Sequence, residues 1–163
     1  MYLRNQAEYL YCLILAIASS VYKSIESNGP HFAIDGKISN AENGLFHSES
    51  ERYPWLQVKL GKEKTISSVT IVNRADSNGW RLANIEVHAG MTEIKPPNPK
   101  PIDVNPLCGR FEGPGADGQS YTIKCDTPIK AKYVTVQIVP HVEFPKTVPE
   151  SFLQINELTF NES

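Results

Sequence analysis

Residues 54–73 read Pro-Trp-Leu-Gln-Val-Lys-Leu-Gly-Lys-Glu-Lys-Thr-Ile-Ser-Ser-Val-Thr-Ile-Val-Asn, and their patterning decides the fold class. From Leu56 to Leu60 apolar and polar side chains alternate, which predicts a strand with one buried face. Gly61-Lys62-Glu63-Lys64 predicts a turn, and Thr65 to Asn73 is β-branched at most positions, as a second strand requires. Downstream, Asp76-Ser77-Asn78-Gly79 is the strongest turn in the chain, since Asn-Gly accepts positive φ, and it predicts a hairpin tip. Leu82 to His88, Tyr121 to Cys125, Lys132 to Val139 and Phe152 to Phe160 are further strand-like segments. Between them, Thr92 to Pro106 carries repeated prolines that would interrupt a sheet ladder. Short strands, turn signals and no helix of ordinary length after the N-terminus predict an all-β sandwich of antiparallel strands.

The chain has 163 residues, enough for one domain with a substantial core. An apolar fraction of 40% and a charged fraction of 21% are those of a folded globular protein. A formal net charge of -2 supplies no basic field, so nucleic acid is excluded as the expected partner. The apolar run from Tyr9 to Ala18 is too short to span a membrane as a helix. With Arg4 before it and Ser19 and Ser20 after it, it has the outline of a secretory signal peptide, although Glu8 offsets the positive flank. Residues 1–20 are therefore read as a signal peptide or the start of the first strand, and residues 16–163 as the domain. The expected location is secreted. Cys12 would leave with a signal peptide, and Cys108 and Cys125 would then form an even pair suited to an oxidising compartment. In a reducing cell they would be free thiols.

No metalloprotease helix, nucleophile elbow, phosphate loop or dinucleotide fingerprint is present, and His31, His47, His88 and His141 are scattered without ligand spacing. An enzyme is not expected. The densest polar cluster is Asn73-Arg74-Ala75-Asp76-Ser77-Asn78-Gly79-Trp80-Arg81. Two guanidiniums flank a turn, with Asp76 able to orient either one, and their fixed donors suit an array of sugar hydroxyls. Trp80 can stack on a sugar face or fill the core. The alternative is a solvated tip whose charges serve solubility.

The same residues resemble the F-type lectins, or fucolectins, a branch of the discoidin-like (F5/8 type C-like) β-sandwich or jelly-roll group. That family places a histidine well before an arginine, any residue, an aspartate, two adjacent cysteines and a second arginine. Here His47, Arg74-Ala75-Asp76 and Arg81 supply the pattern. Ala33-Ile34-Asp35-Gly36, Pro54 to Leu60, Ile66 to Arg74, Cys108-Gly109, Gly118 to Cys125, Lys132 to Val136 and Leu153 to Phe160 are family-like too. The resemblance implies a non-catalytic module that binds L-fucose or a similar terminal sugar through His47, Arg74 and Arg81, with Asp76 of the motif as an accessory residue; Trp80, beside Arg81, is a further accessory candidate, able to replace the apolar contact of the family's adjacent cysteines. It implies cell-surface or soluble glycans as partners, with a homo-oligomer supplying avidity. It also implies a Cys108–Cys125 bridge and a structural calcium ion near Asp35 and Glu157. Phe32 and Lys37 stand where oxygen-bearing side chains are usual, and the Lys37 ammonium is an alternative to the ion beside Asp35. The chain departs from the family in two places: Leu45 and Asn156 replace both partners of a second bridge, and Ser77 and Asn78 replace the adjacent cysteines. The polar turn in place of those cysteines points to a second function, an adhesion or protein-binding module that has lost its sugar.

Overall fold

The computed structural model describes residues 15–96, 104–140 and 151–163. Cys12, His141 and most of the N-terminal apolar run lie outside the described residues. Eight strands are found among the described residues: β1 (Leu15–Ala18), β2 (Phe46–His47), β3 (Trp55–Val72), β4 (Ile85–Gly90), β5 (Leu107–Phe111), β6 (Ser120–Ile138), β7 (Gln154–Ile155) and β8 (Glu157–Glu162). All pairings are antiparallel. The main sheet runs β1-β3-β6-β4-β5, with β8 also on β3, and β2 pairs with β7 alone. The arrangement is the antiparallel sandwich expected.

The long partners β3 and β6 make one sheet into two layers. Trp55 to Lys59 pairs with Gln137 to Tyr133, and Lys64 pairs with Ala131, so residues 60–63 stand opposite Lys132 alone. A bulge of that size bends and twists the strand without ending it. The first half of β3 carries β1 on its free side, and the second half carries β8. The turn expected at Gly61–Lys64 is therefore a bulge inside one strand, because the β-branched residues beyond it continue the ladder. Leu56, Val58, Val69, Ile71, Val134 and Val136 are fully buried between the layers. Trp55 is 1% exposed, a packing residue as expected.

Two further expectations change. Asn78 does adopt positive φ, at 59°, but the chain then enters a 3-10 turn (Gly79–Arg81), and β3 does not pair with β4. There is no hairpin here, because the turn is tied sideways to the loop before β6. Asn73 Nδ2 donates to the Gly79 and Ala116 carbonyls at 2.8 and 2.9 Å, and the Gly79 N–H donates to Asp117 Oδ1 at 2.6 Å. A Cβ at Gly79 would lie 2.6 Å from the Asp117 backbone nitrogen, so only glycine fits this contact. The strand-like segment Leu82–His88 enters the sheet only from Ile85, as β4, which is buried at every position. It is an interior strand between β5 and β6, and its polar residues Glu86 and His88 are buried as well, His88 Nδ1 lying 2.8 Å from the Asn105 carbonyl of the segment before β5.

Leu15–Ala18, at the end of the apolar run, pairs residue for residue with Lys59 to Leu56 as an edge strand. Cys108 and Cys125 are bridged, joining β5 to β6 across a sequence separation of 17. Closing a loop of that length constrains the unfolded chain by about 3 kcal/mol. A Cys108→Ala/Cys125→Ala double variant is expected to lose about that much unfolding free energy in urea titration. A loss near zero would show that the bridge adds nothing to this sandwich.

Candidate functional site

The site begins with a two-residue ladder. His47 in β2 is paired with Gln154 in β7, 107 positions away in the chain. Residue 156 then bonds back to the end of β3, its N–H donating to the Val72 carbonyl at 2.9 Å. Arg74 follows directly from that strand end, and Arg81 closes the 3-10 turn that Asn73 and Asp117 hold. Three segments distant in sequence thus bring His47, Arg74 and Arg81 to one place.

They meet at one atom. The end of the Gln154 amide lies 2.7 Å from His47 Nε2, 3.0 Å from Arg74 Nη1 and 3.1 Å from Arg81 Nη1. Guanidinium nitrogens only donate, so the amide presents its oxygen to them. His47 Nδ1 lies 2.7 Å from the Ser48 carbonyl and must donate there. Neutral imidazole then has only a lone pair at Nε2, which faces the same amide oxygen. Two acceptors would be satisfied by an imidazolium, but burial pushes the His47 pKa down, and the two guanidiniums push it down further. Neither orientation of the amide satisfies both arginines and a neutral His47.

The two arginines differ. Arg74 is 4% exposed and clamped by Asp76 through two bonds, Nε to Oδ1 at 2.6 Å and Nη2 to Oδ2 at 2.8 Å. That hydrogen bonding raises the Arg74 pKa and holds Asp76 below the usual carboxylate range. Arg81 has no carboxylate within ion-pair distance among the described residues. Its guanidinium sits over Phe152 at 4.6 Å and Trp80 at 5.6 Å, and burial followed by the Arg74 charge lowers its pKa. Tyr22 stacks on His47 at 4.4 Å and Phe152 meets it edge-on at 5.4 Å, fixing the imidazole plane. Trp80 does not fill the core; it is 63% exposed.

Gln154, Phe152 and Tyr22 were not legible as site residues. The other described histidines lie elsewhere. His31 packs on Phe32, and His88 is buried with Nε2 2.8 Å from the Glu86 carboxylate, which also accepts from Arg110 Nε at 2.9 Å.

Asp35 and Glu157 do come together, around the turn after the 3-10 helix Pro30–Ile34. Glu157 Oε2 accepts from the Gly36 N–H at 3.0 Å, and Asp35 Oδ1 accepts from the Lys37 N–H at 2.9 Å. Lys37 thus contributes its backbone, and its ammonium pairs with no carboxylate among the described residues. Burial, and then the Asp35 charge, push the Glu157 pKa up to about 7. The two carboxylates could supply only part of the six to eight oxygens that a calcium ion takes, and one oxygen of each already accepts a backbone N–H. No group of three or more His, Cys, Asp or Glu suited to a metal is found among the described residues. Backbone carbonyls and water would have to complete the shell.

A bent antiparallel sandwich with a buried imidazole and two guanidiniums gathered at one end defines the class of discoidin-type recognition modules. Residues 32–136 match the F5/8 type C family model described as a NedA-like, galactose-binding domain. Fucolectin-1 of Anguilla japonica is 33% identical over 135 residues, covering 81% of this chain and 67% of the relative. Fucolectin of Anguilla anguilla is 29% identical over 134 residues, covering 76% and 80%. The fucolectin from striped bass (Morone saxatilis) serum superposes with a TM-score of 0.74 at 24% identity, covering 94% of this chain and 48% of that one. This chain thus spans about half the length of the bass protein. It belongs to the fucolectin family, within the F5/8 type C domains, and so to a carbohydrate-binding, non-catalytic kind of protein.

Glu157 makes stability depend on pH with a definite sign. Its folded-state pKa of about 7 lies above the ordinary 4.5, so between those values the folded form holds the proton more tightly. Its contribution is present below pH 4.5 and is lost as pH rises toward 7. Measured as thermal stability against a Glu157→Gln variant, the parent is expected to lose ground steadily across that window. Parallel pH profiles would refute the assignment.

Proposed function

We propose that the protein is a secreted lectin that binds L-fucose, or a terminal sugar of similar hydroxyl pattern, through His47, Arg74 and Arg81. The conflict at the Gln154 amide carries this reading. A sugar hydroxyl donates and accepts at once, so it can give its proton to His47 Nε2 while accepting from a guanidinium. No carbonyl, carboxylate or amide nitrogen does both. The fucolectin relatives favour fucose, as does the His–Arg–Arg pattern that the family resemblance implies, and the serum origin of the bass protein favours secretion. The domain is taken as residues 16–163, with the strand Leu15–Ala18 at its start.

Hydrogen bonds to charged donors contribute about 1.5–3 kcal/mol each before ordering costs, so one shallow site binds at roughly millimolar strength. Useful avidity then requires several copies held together, and a homo-oligomer is the natural form. A calcium ion held by Asp35 and Glu157 would be structural, drawing the loop around Gly36 onto β8 and removing the cost of the buried carboxylate. In the Glu157 stability measurement, added calcium is expected to restore the loss at neutral pH in the parent and not in Glu157→Gln.

A second reading, a protein-binding adhesion module, is favoured by Ser77 and Asn78 standing where the family has adjacent cysteines. Calorimetry with L-fucose separates the two. Arg74→Lys keeps the charge but loses the fork, and Arg81→Ala removes a donor pair. Each is expected to weaken binding about tenfold to a hundredfold. No heat at tens of millimolar fucose, or affinities unchanged by both substitutions, would leave the adhesion reading. Affinity should be flat above pH 6.5 and fall only on stronger acidification, because the lowered His47 pKa keeps its accepting nitrogen free below that value. An affinity that instead rises on acidification would mean that imidazolium is the binding form.

A further inference from the structure

Three groups converge on one atom in the cup, and that atom belongs to the protein. Of the Arg74 guanidinium, Nε and Nη2 are already held by the Asp76 carboxylate at 2.6 and 2.8 Å. Its remaining nitrogen, Nη1, lies 3.0 Å from the Gln154 amide oxygen, and Arg81 Nη1 lies 3.1 Å from the same oxygen. His47 Nδ1 donates to the Ser48 carbonyl at 2.7 Å, so Nε2 is its one open position, and it too meets Gln154, at 2.7 Å. Gln154 therefore takes the last nitrogen of Arg74 and of His47 that a ligand could use.

Two oxygens cannot share that place. A hydroxyl bonded to all three groups would have to lie about 2.7–3.2 Å from each, which is where the amide oxygen already stands. His47 is 2% exposed, Gln154 3% and Arg74 4%, so the convergence point is closed to water as well. The backbone gives no room for retreat. Gln154 is in ladder register with His47, and on either side the Leu153 N–H donates to Ser48 Oγ at 2.9 Å and the Asn156 N–H to the Val72 carbonyl at 2.9 Å. The side chain is different: it is unbranched, with three torsions, and it can swing about a fixed Cα. Its presence also has a physical reason. Without an acceptor at that point two guanidinium N–H groups, one of them on the buried Arg74, would lack a partner, and a buried donor left unmet is costly.

We propose that Gln154 is an internal stand-in for the sugar oxygen: its amide closes the cup, and a sugar enters by turning that side chain out and taking its place. The inference rests on the cup being the sugar site. Positioning is the part of Asp76, which grips Arg74 by its other edge; Gln154 occupies the edge left for the ligand. Gln154 is then the residue that sets affinity, stabilising the fold at the expense of binding strength.

The test titrates L-fucose into the full chain by calorimetry, with Gln154 replaced in two ways. Gln154→Ala is expected to bind fucose about threefold to tenfold more tightly than the parent, since the sugar no longer displaces an amide, and to unfold at lower urea. Gln154→Glu sets a carboxylate between the guanidiniums and is expected to bind at least about tenfold more weakly. A residue that only positioned its neighbours would weaken binding in both variants. In the parent, the Gln154 side-chain amide resonance is expected to move to that of a solvated glutamine on saturation with fucose, a readout that needs no variant to fold. Gln154→Ala binding no more tightly than the parent, or an amide resonance that stays in place while fucose binds, refutes the stand-in and leaves the cup. If fucose binds neither the parent nor Gln154→Ala, the cup reading itself fails and takes the stand-in with it.

Discussion

The ladder between β3 and β6, broken where residues 60–63 face Lys132 alone, is the constraint on which the rest of the molecule depends. Without the break the two longest strands would lie in one flat layer, and Leu56 and Val69 could not face a common interior. With it, one half of β3 supports β1 and the other supports β8, and the interior between them is apolar and dry. The bend also sets where β3 ends. Val72 is held between Ser120 and Glu157, so Asn73 and Arg74 leave the sheet at a fixed point, next to residue 156 and hence next to Gln154. The position of Arg74 is a consequence of strand register and not of loop chemistry.

At the other end of that chain of cause, the cup is built from polar groups that cannot all be satisfied by the protein itself. Buried polar networks are stable when every member has a partner and costly when one does not. Here the deficit is confined to His47 Nε2, while the rest of the cluster is bonded: Arg74 to Asp76, Asn73 to the turn, Asn156 to both backbone groups of Ser39 at 2.8 Å. On the proposed reading, a deficit held in place by a satisfied surround lowers the ordering cost of binding, because these side chains are already fixed in the folded protein. Gln154 keeps the two guanidinium donors and the imidazole acceptor pointed at one spot. The same arrangement requires a ligand oxygen to compete with an amide oxygen there, which keeps a single-site affinity low.

Much of this was legible in the sequence. Alternation over Leu56–Leu60 and the β-branched run beyond it marked β3, and the Arg-Ala-Asp and second-arginine spacing marked two of the three side chains that converge. What escaped were features whose cause lies outside any local window. Residues 60–63 look like a turn because Gly and Lys favour turns, and only a partner strand decides between reversal and bulge. β4 is buried at its polar positions as well as its apolar ones, which depends on its place between β5 and β6. The β2–β7 ladder is two residues long, too short for periodicity to reveal, yet it brings Gln154 onto His47. The buried Glu86 carboxylate is bonded by buried His88 and by exposed Arg110, a pairing that polar-out patterning cannot foresee.

The charge of the cup narrows what it can hold. Arg74 and Asp76 cancel, His47 is driven toward neutrality, and Arg81 supplies one net positive charge. An anionic ligand would meet that charge, but a carboxylate oxygen placed at the convergence point would set its lone pairs against the lone pair of His47 Nε2. A neutral hydroxyl meets no such opposition, so the histidine selects against the anion that the arginine alone would attract. Replacement of the adjacent cysteines leaves this logic intact. Asn78 Nδ2 donates to Ser77 Oγ at 3.1 Å, and Ser77 Oγ lies 3.5 Å from Arg74 Nη2, so the new side chains brace the Arg74–Asp76 clamp from outside. What the substitution removes is apolar surface beside the cup, and the apolar surfaces that flank the Arg81 guanidinium are Phe152 at 4.6 Å and the exposed Trp80 at 5.6 Å. On the proposed reading, the chain keeps the two guanidinium donors for a sugar's oxygens while the apolar contact beside them is changed.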